Sequence, residues 1–251
     1  SAVNYDTSVF YYVDDSGLQV ADIVVGFMNA GFPTDPPDPT TKFDQYCGNE
    51  VYVKINDLYI KNPDLQQKRK SVLKSIEKGN SDLSRFAKEI SLRVLKDQLK
   101  TCWSLKVRYD LLNFESDIVA SKMWEKMFEL LKNKGRAAYE TEGKNKGCWV
   151  IRGSDGDDKV LIRSDGTLTY VAKDMPYAAW KLGLFSDPFL YCVFSEQWDT
   201  SILWAATLDT TVGSHAKPQF GGAEIVINLI DSRQSRLQTI ISSTLSAVPK
   251  F

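Results

Sequence analysis

The segment that most restricts the fold lies near the N-terminus. Residues 8–14, Ser-Val-Phe-Tyr-Tyr-Val-Asp, make a continuous, mostly apolar run of strand length. Asp14, Asp15, Ser16 and Gly17 then supply turn residues. From Leu18 to Ala30, Leu18, Ala21, Val24, Val25 and Met28 recur on one helical face, and Gly31 and Pro33 stop it. Strand, turn and helix in this order form half of a βαβ unit, which predicts a parallel sheet covered by helices.

Further along, residues 33–42 carry four prolines and read as an irregular linker or lid. Val51 and Val53 alternate with polar neighbours over a short run. Asn62-Pro63 is a helix start, and Gly79-Asn80 ends that helix after residue 78. Ser81 or Asp82 caps a second helix, in which Leu83, Phe86, Ala87, Ile90, Val94, Leu95 and Leu99 recur every three or four residues. Leu105, Val107, Tyr109 and Leu111 alternate as a strand would. A helix from Ser116 or Asp117 turns Trp124, Met127, Phe128 and Leu131 inward and ends at Gly135.

From 137 to 172 the pattern is β. Residues 139–143 and 147–152 read as paired strands, and 154–158 as a polar turn. Strands over 159–163 and 167–171 flank Ser164-Asp165-Gly166, a hairpin signal. A short helix over 174–182, apolar strands over 189–194 and 224–230, and a helix over 232–247 closed by Pro249 complete the chain; Trp198, Trp204 and Leu208 call for burial. The fold class expected is α/β, with residues 1–32 and 159–251 as two parts of one sheet domain and 33–158 as a mixed α+β insertion.

The balance of 31 Lys plus Arg against 32 Asp plus Glu excludes a protein that wraps nucleic acid by bulk charge. A local basic patch is still available from Lys61, Lys68, Arg69, Lys70, Lys74 and Lys78, which serve equally as a phosphate-contacting or a solvated helix face. No run of 18 apolar residues is present, and Ser1–Asn4 shows no signal-peptide pattern; the expectation is a cytoplasmic protein without membrane contact. Cys47, Cys102, Cys148 and Cys192 form no CxxC pair, so free thiols are expected and zinc is not. The one histidine, His215, sits in a loop pattern and is not expected to do catalysis.

Three constellations bear on chemistry. Asp14 and Asp15, followed by Gln19, stand where the first strand ends, the place at which open α/β sheets bind ligands; a turn and helix cap would use the same residues. Tyr170 and Asp174, with Tyr177 after them, follow the hairpin turn, and a strand ending near 172 would aim the first two at one pocket. A carboxylate beside a phenol suits a guanidinium, because planar donors meet the acid while the ring packs against them. A core tyrosine and an Asp cap are the alternative. The third is Asp231-Ser232-Arg233-Gln234 with Arg236 and Gln238, where a helix start could receive a phosphate or an adenine edge.

Taken in order, these segments resemble the arginyl-tRNA synthetases, a family of class I aminoacyl-tRNA synthetases with an archaeal flavour here. The resemblance rests on Phe10-Tyr11-Tyr12-Val13-Asp14-Asp15-Ser16-Gly17-Leu18-Gln19, on Phe43-Asp44-Gln45-Tyr46-Cys47-Gly48 and on Glu115-Ser116-Asp117. It continues through 160–167 and Thr169-Tyr170-Val171-Ala172-Lys173-Asp174-Met175-Pro176-Tyr177 to Trp180-Lys181, and covers about residues 8–245. It implies a partial Rossmann-type parallel sheet with an insertion that packs against the tRNA acceptor arm. It further implies that Tyr170 and Asp174 read the arginine side chain, with Gln234, Asp14 and Tyr177 around the same ligand. Ser232 and Gln238 would then border ATP or the adenylate.

The family activates arginine with ATP and Mg²⁺ and transfers it to tRNA-Arg. It uses a His-x-Gly-His signature and a Lys-Met-Ser-Lys type loop to stabilise the phosphates, and neither occurs in these 251 residues. Asp231 and Arg233 also stand where the family shows Gly and an acidic residue. The expectation is therefore a portion of the catalytic domain with little or no aminoacylation by itself, monomeric or paired with a chain that carries the missing signatures. The alternative is a homologue that binds arginine or a partner without catalysis.

Overall fold

The computed structural model describes residues 4–152, 158–214, 220–232 and 235–246; the side chain of Tyr170 is outside this description. His215, Arg233, Gln234, Pro249 and most of the 154–158 turn also lie outside the described residues. The chain forms two compact units. One comprises the residues up to Ser116 together with Cys192–Ala206; the other comprises Asp117–Tyr191 and the residues from Thr207 onward.

In the first unit, β1 (Phe10–Val13) runs into α1 (Leu18–Asn29), as the apolar pattern predicts. Ala21, Val24 and Val25 are buried in a helical cluster, while in the last turn Phe27 is buried and Met28 is exposed. The linker 33–42 is irregular. Beyond it, the short run at Val51 and Val53 is not a strand. A short α2 (Phe43–Gln45), a π-helical turn (Tyr46–Tyr52) and α3 (Val53–Lys61) follow one another without a break. Cys47, Val51, Ile55 and Tyr59, each four residues from the next, are all buried, and this stripe outweighs the alternation of two valines. Gly26 of α1 permits the packing, since a Cβ there would lie 2.4 Å from Val51 Cγ1.

Asn62 caps α4 (Pro63–Lys78) by accepting from the backbone N–H groups of Asp64 and Leu65. Ser81 and Ser84 form a reciprocal capping box at the start of α5 (Asp82–Ser104). The strand expected over 105–111 begins only at Leu111, as β2 (Leu111–Phe114). Lys106 takes a left-handed conformation after the helix end, and Leu105 and Val107 are exposed. β2 pairs parallel with β1, Phe10 opposite Leu111 and Val13 opposite Phe114, and parallel with β7 (Ile202–Thr207) through Leu111 and Trp204. The sheet order is β1-β2-β7-β6, with β6 (Leu190–Glu196) joined to β7 by a tight turn. Trp198 in that turn is substantially exposed.

The helix expected from residue 116 is two helices, α6 (Glu115–Ala120) and α7 (Met123–Asn133), broken where Lys122 turns left-handed. β3 (Ala137–Tyr139), β4 (Trp149–Ile151) and β5 (Lys159–Ile162) form an antiparallel sheet in that order. After β5 only the bridge between Ile162 and Leu168 remains of the expected hairpin. The chain enters α8 (Tyr170–Lys181) four residues earlier than the pattern suggested. Met175, Ala178 and Ala179 of α8 pack with Met127, Leu131, Leu161, Ile241 and Leu245.

Residues 224–230 form no strand with any described neighbour. Ile225, Ile227 and Leu229 are exposed, so the apolar run lacks the sheet partner that β structure requires. The last helix, α9, is described over Ser235–Leu245; the two residues between it and Ser232 lie outside the described residues. Among the described residues no helix is long and apolar enough to cross a membrane. All four cysteines are free thiols, as expected.

Candidate functional site

Two polar clusters occupy the places the sequence marked, one in each unit. The first stands at the carboxyl ends of β1 and β2. Both strands run the same way, so their last residues deliver Asp14–Gly17 and Glu115–Ser116 to the same edge of the sheet. Asp15 is buried. Its Oδ1 accepts from the Ser116 N–H at 2.9 Å and its Oδ2 from the Ser116 hydroxyl at 2.5 Å. Burial raises its carboxyl above the ordinary range; the Ser116 hydrogen bonds and the Lys88 charge oppose that rise.

Glu115, also buried, accepts from the Tyr12 hydroxyl at 2.8 Å and from the Ser16 hydroxyl at 2.7 Å. Asp14, by contrast, is exposed. It folds its carboxylate back over Gly17, with Oδ1 2.3 Å from where a Cβ on that residue would lie. This sets a negative charge beside the N-terminus of α1, where the helix dipole favours it. Gln19, one residue into the helix, is exposed. Sequence reasoning assigned the adjacent aspartates to a site but quoted Tyr12 and Glu115 only within the family segments; strand pairing brings these two together across about a hundred residues.

The second cluster lies on α8 and the elements packed on it. Tyr170 opens the helix and Asp174 follows one turn later, so the two positions share a face. Tyr177 is buried, stacked on Trp180 with ring centroids 5.6 Å apart. Burial and the neighbouring Asp174 charge push its phenol far up. Lys181 continues the stripe Asp174-Tyr177-Lys181. Its Nζ stands 4.7 Å from the Tyr177 ring centroid and donates to Asn228 Oδ1 at 2.8 Å. Asn228 Nδ2 in turn donates to Gln238 Oε1, also at 2.8 Å. Burial lowers the Lys181 amine to about 8, against an opposing pull from Asp174. Nothing in the sequence marked Lys181 beyond its place in the run; its environment comes from the 220–230 segment, held to α8 by the Ala223 N–H on the Lys181 carbonyl.

Of the third constellation, Arg233 and Gln234 lie outside the described residues. Ser232 is exposed and its carbonyl accepts from the Ser235 hydroxyl, while Gln238 is engaged by Asn228. Among the described residues no group of three or more His, Cys, Asp or Glu side chains is placed to hold a metal ion.

The mostly parallel sheet with carboxylates at its strand ends, interrupted by helical and antiparallel insertions, is an α/β Rossmann-like arrangement of the kind built by class I aminoacyl-tRNA synthetases. No family model matches the chain. Over 97% of its length it is 30% identical to the arginine–tRNA ligase of Thermococcus sibiricus, and 32% identical to those of Pyrococcus abyssi and Deinococcus radiodurans. The arginyl-tRNA synthetase of Thermus thermophilus matches 98% of the chain and 40% of its own, with a TM-score of 0.74 and 26% identity. That of Plasmodium falciparum shares the fold over 72% of the chain, with a TM-score of 0.53. The chain is a homologue of the arginyl-tRNA synthetases and spans 39% of the length of these curated relatives.

Proposed function

We propose that this chain carries the arginine-binding part of an arginine–tRNA ligase, with the guanidinium read by Asp174 and Tyr170. The observation that supports this most directly is the Asp174 carboxylate on α8, close enough to Tyr177 and Lys181 to act on both. An ionised acid paired with a planar guanidinium makes two charge-assisted hydrogen bonds, and a phenol one turn away offers a face or an oxygen to the same group. In the complete enzyme the arginine carboxylate attacks the ATP α-phosphorus. The nucleophile is already ionised, so no side chain is needed as a general base, and positioning supplies the rate.

ATP and Mg²⁺ are co-substrate and ion of that reaction, and tRNA-Arg accepts the arginyl group in the cytoplasm. Gln234, Ser232 and Gln238 remain the proposed border of the arginine and adenylate sites. We also propose that 1–32 and 159–251 are parts of one nucleotide-binding domain and that 33–158 is a mixed insertion that meets the acceptor arm while lending β2 to the parallel sheet.

Calorimetry of this chain with arginine, citrulline and lysine tests the reading. Arginine should bind, citrulline should bind at least tenfold more weakly, and Asp174→Asn should abolish the difference. Equal affinity for arginine and citrulline, or a folded D174N protein with unchanged arginine affinity, would sink it. A second reading is an arginine-binding module that does not activate the amino acid. Arginine-dependent ATP–pyrophosphate exchange by this chain would reject that second reading.

A further inference from the structure

We infer that Lys181 is a charge-balancing and positioning residue of the arginine site, which gives up its proton when a guanidinium reaches Asp174. The inference rests on the arginine reading above and deepens it. Asp174, Tyr177 and Lys181 follow one another at spacings of three and four on α8, so they form one stripe. The Lys181 ammonium is fixed by two contacts, the Tyr177 ring face at 4.7 Å and Asn228 Oδ1 at 2.8 Å. Asn228 is itself fixed by Gln238. Each of these partners is neutral, so Asp174 is the charge that holds the proton on Lys181.

Of the other charged groups on the packed elements, Glu224, Asp231, Arg236 on α9 and Glu125, Lys126 and Glu129 on α7 are exposed, while Lys132 on α7 and Lys159 on β5 are half-buried. An amine already brought down to about 8 by burial stands at the edge of deprotonation near neutrality. A guanidinium bound to Asp174 neutralises the one stabilising charge and adds a cation to the stripe. Both effects push the amine's proton off to solvent. The step is an acid dissociation: the N–H bond breaks, its electron pair stays on Nζ, and buffer takes the proton. Lysine suits this role because its amine can lose charge, whereas a guanidine in its place could not.

The test is calorimetry of arginine binding at pH 7.5 in two buffers with different protonation enthalpies, together with a titration of the Lys181 Nζ by nitrogen-15 NMR in the ligand-free protein. The expected result is release of roughly a third to two thirds of a proton per arginine, with affinity rising severalfold from pH 7 to pH 9. K181M should bind arginine without release, and K181R should bind it at least tenfold more weakly, again without release. D174N should move the Lys181 titration still lower. Arginine binding with no proton release, or with the same release in K181M, would overturn the inference while leaving the arginine reading intact. A Lys181 titration at the ordinary lysine value would overturn it whatever arginine does. Failure of arginine to bind would overturn both.

Discussion

Ser116 occupies both oxygens of Asp15, one with its backbone N–H and one with its hydroxyl. The pair ties the turn after β1 to the start of α6, directly after β2, so it locks the relative height of two parallel strands. Ser116→Ala keeps the backbone bond and removes the hydroxyl. A buried acid losing one such donor should cost about 1–2 kcal/mol of stability by denaturant unfolding. The sign of the pH effect follows from burial. The folded carboxyl is raised above its unfolded value, so the native state holds this proton more tightly. Its contribution to stability grows as pH falls through the folded pKa and is least favourable at neutral pH. S116A should raise that pKa further, read by carbon-13 NMR of the Asp15 carboxyl; a lower value would contradict the assigned bonding.

Asp22 is wholly buried in α1 and is met by Arg69 of α4, with Nε 2.6 Å from Oδ1 and Nη2 2.8 Å from Oδ2, and by the Tyr59 hydroxyl at 2.9 Å. Arg69 also lies 4.9 Å from the Tyr59 ring centroid. Three helices are thereby pinned through one carboxylate. Arg69→Met should cost about 3 kcal/mol, since it leaves a buried charge with only a phenol. The double variant D22L/R69M should recover most of that loss, because it removes the desolvated charge along with its partner. Denaturation midpoints of the two variants decide the matter, and a double variant less stable than R69M would reject the account.

Much of this organisation was readable from residue order. The β1–α1 unit, the Asn62 and Ser81 caps, and the stripe of α5 are local signals, and local geometry decides them. The failures have a common cause. Leu111–Phe114 is buried on both faces, so β2 shows no alternation, and the exposed Leu105 and Val107 mimic it instead. Residues 224–230 read as a strand because their composition suits one, but composition supplies no hydrogen-bonding neighbour. The candidate site divides in the same way. Asp14, Asp174 and Tyr177 are visible as residue types near turns. Glu115 beside Tyr12, and Lys181 beside Asn228, exist only once distant segments pair.

Two glycines make the attachment of the 220–230 segment to α8 sensitive to single methyl groups. Gly183 has φ of 72°, and a Cβ on it would lie 2.9 Å from the Cα of Gly222. Gly222 has φ of 69° but open space around its own Cβ position. Gly183→Ala meets both backbone strain and a backbone clash, and should cost more than about 2 kcal/mol. Gly222→Ala meets strain alone and should cost about 1 kcal/mol. Thermal unfolding of both variants tests the ranking; equal losses would mean the close approach is absent in solution. G183A should also raise the Lys181 amine toward its ordinary value, since displacement of the segment returns that group to water.

Cys47 should be the slowest of the four thiols to react. It is buried in the first unit's helical core, and desolvation pushes its thiol up to about 12, with the Arg93 charge opposing and Asp44 adding to the rise. At pH 8 the thiolate fraction of such a group is on the order of one in ten thousand, and the thiolate is the nucleophile. Cys102, Cys148 and Cys192 are only half-buried. Iodoacetamide labelling of the native chain, followed by peptide mass spectrometry, should modify those three long before Cys47. Moderate urea should bring Cys47 labelling up in step with the unfolding of the first unit. Early labelling of Cys47 in the native protein would mean that the packing of α1 on the π-helical turn, held by Gly26 against Val51, opens far more readily than its burial allows.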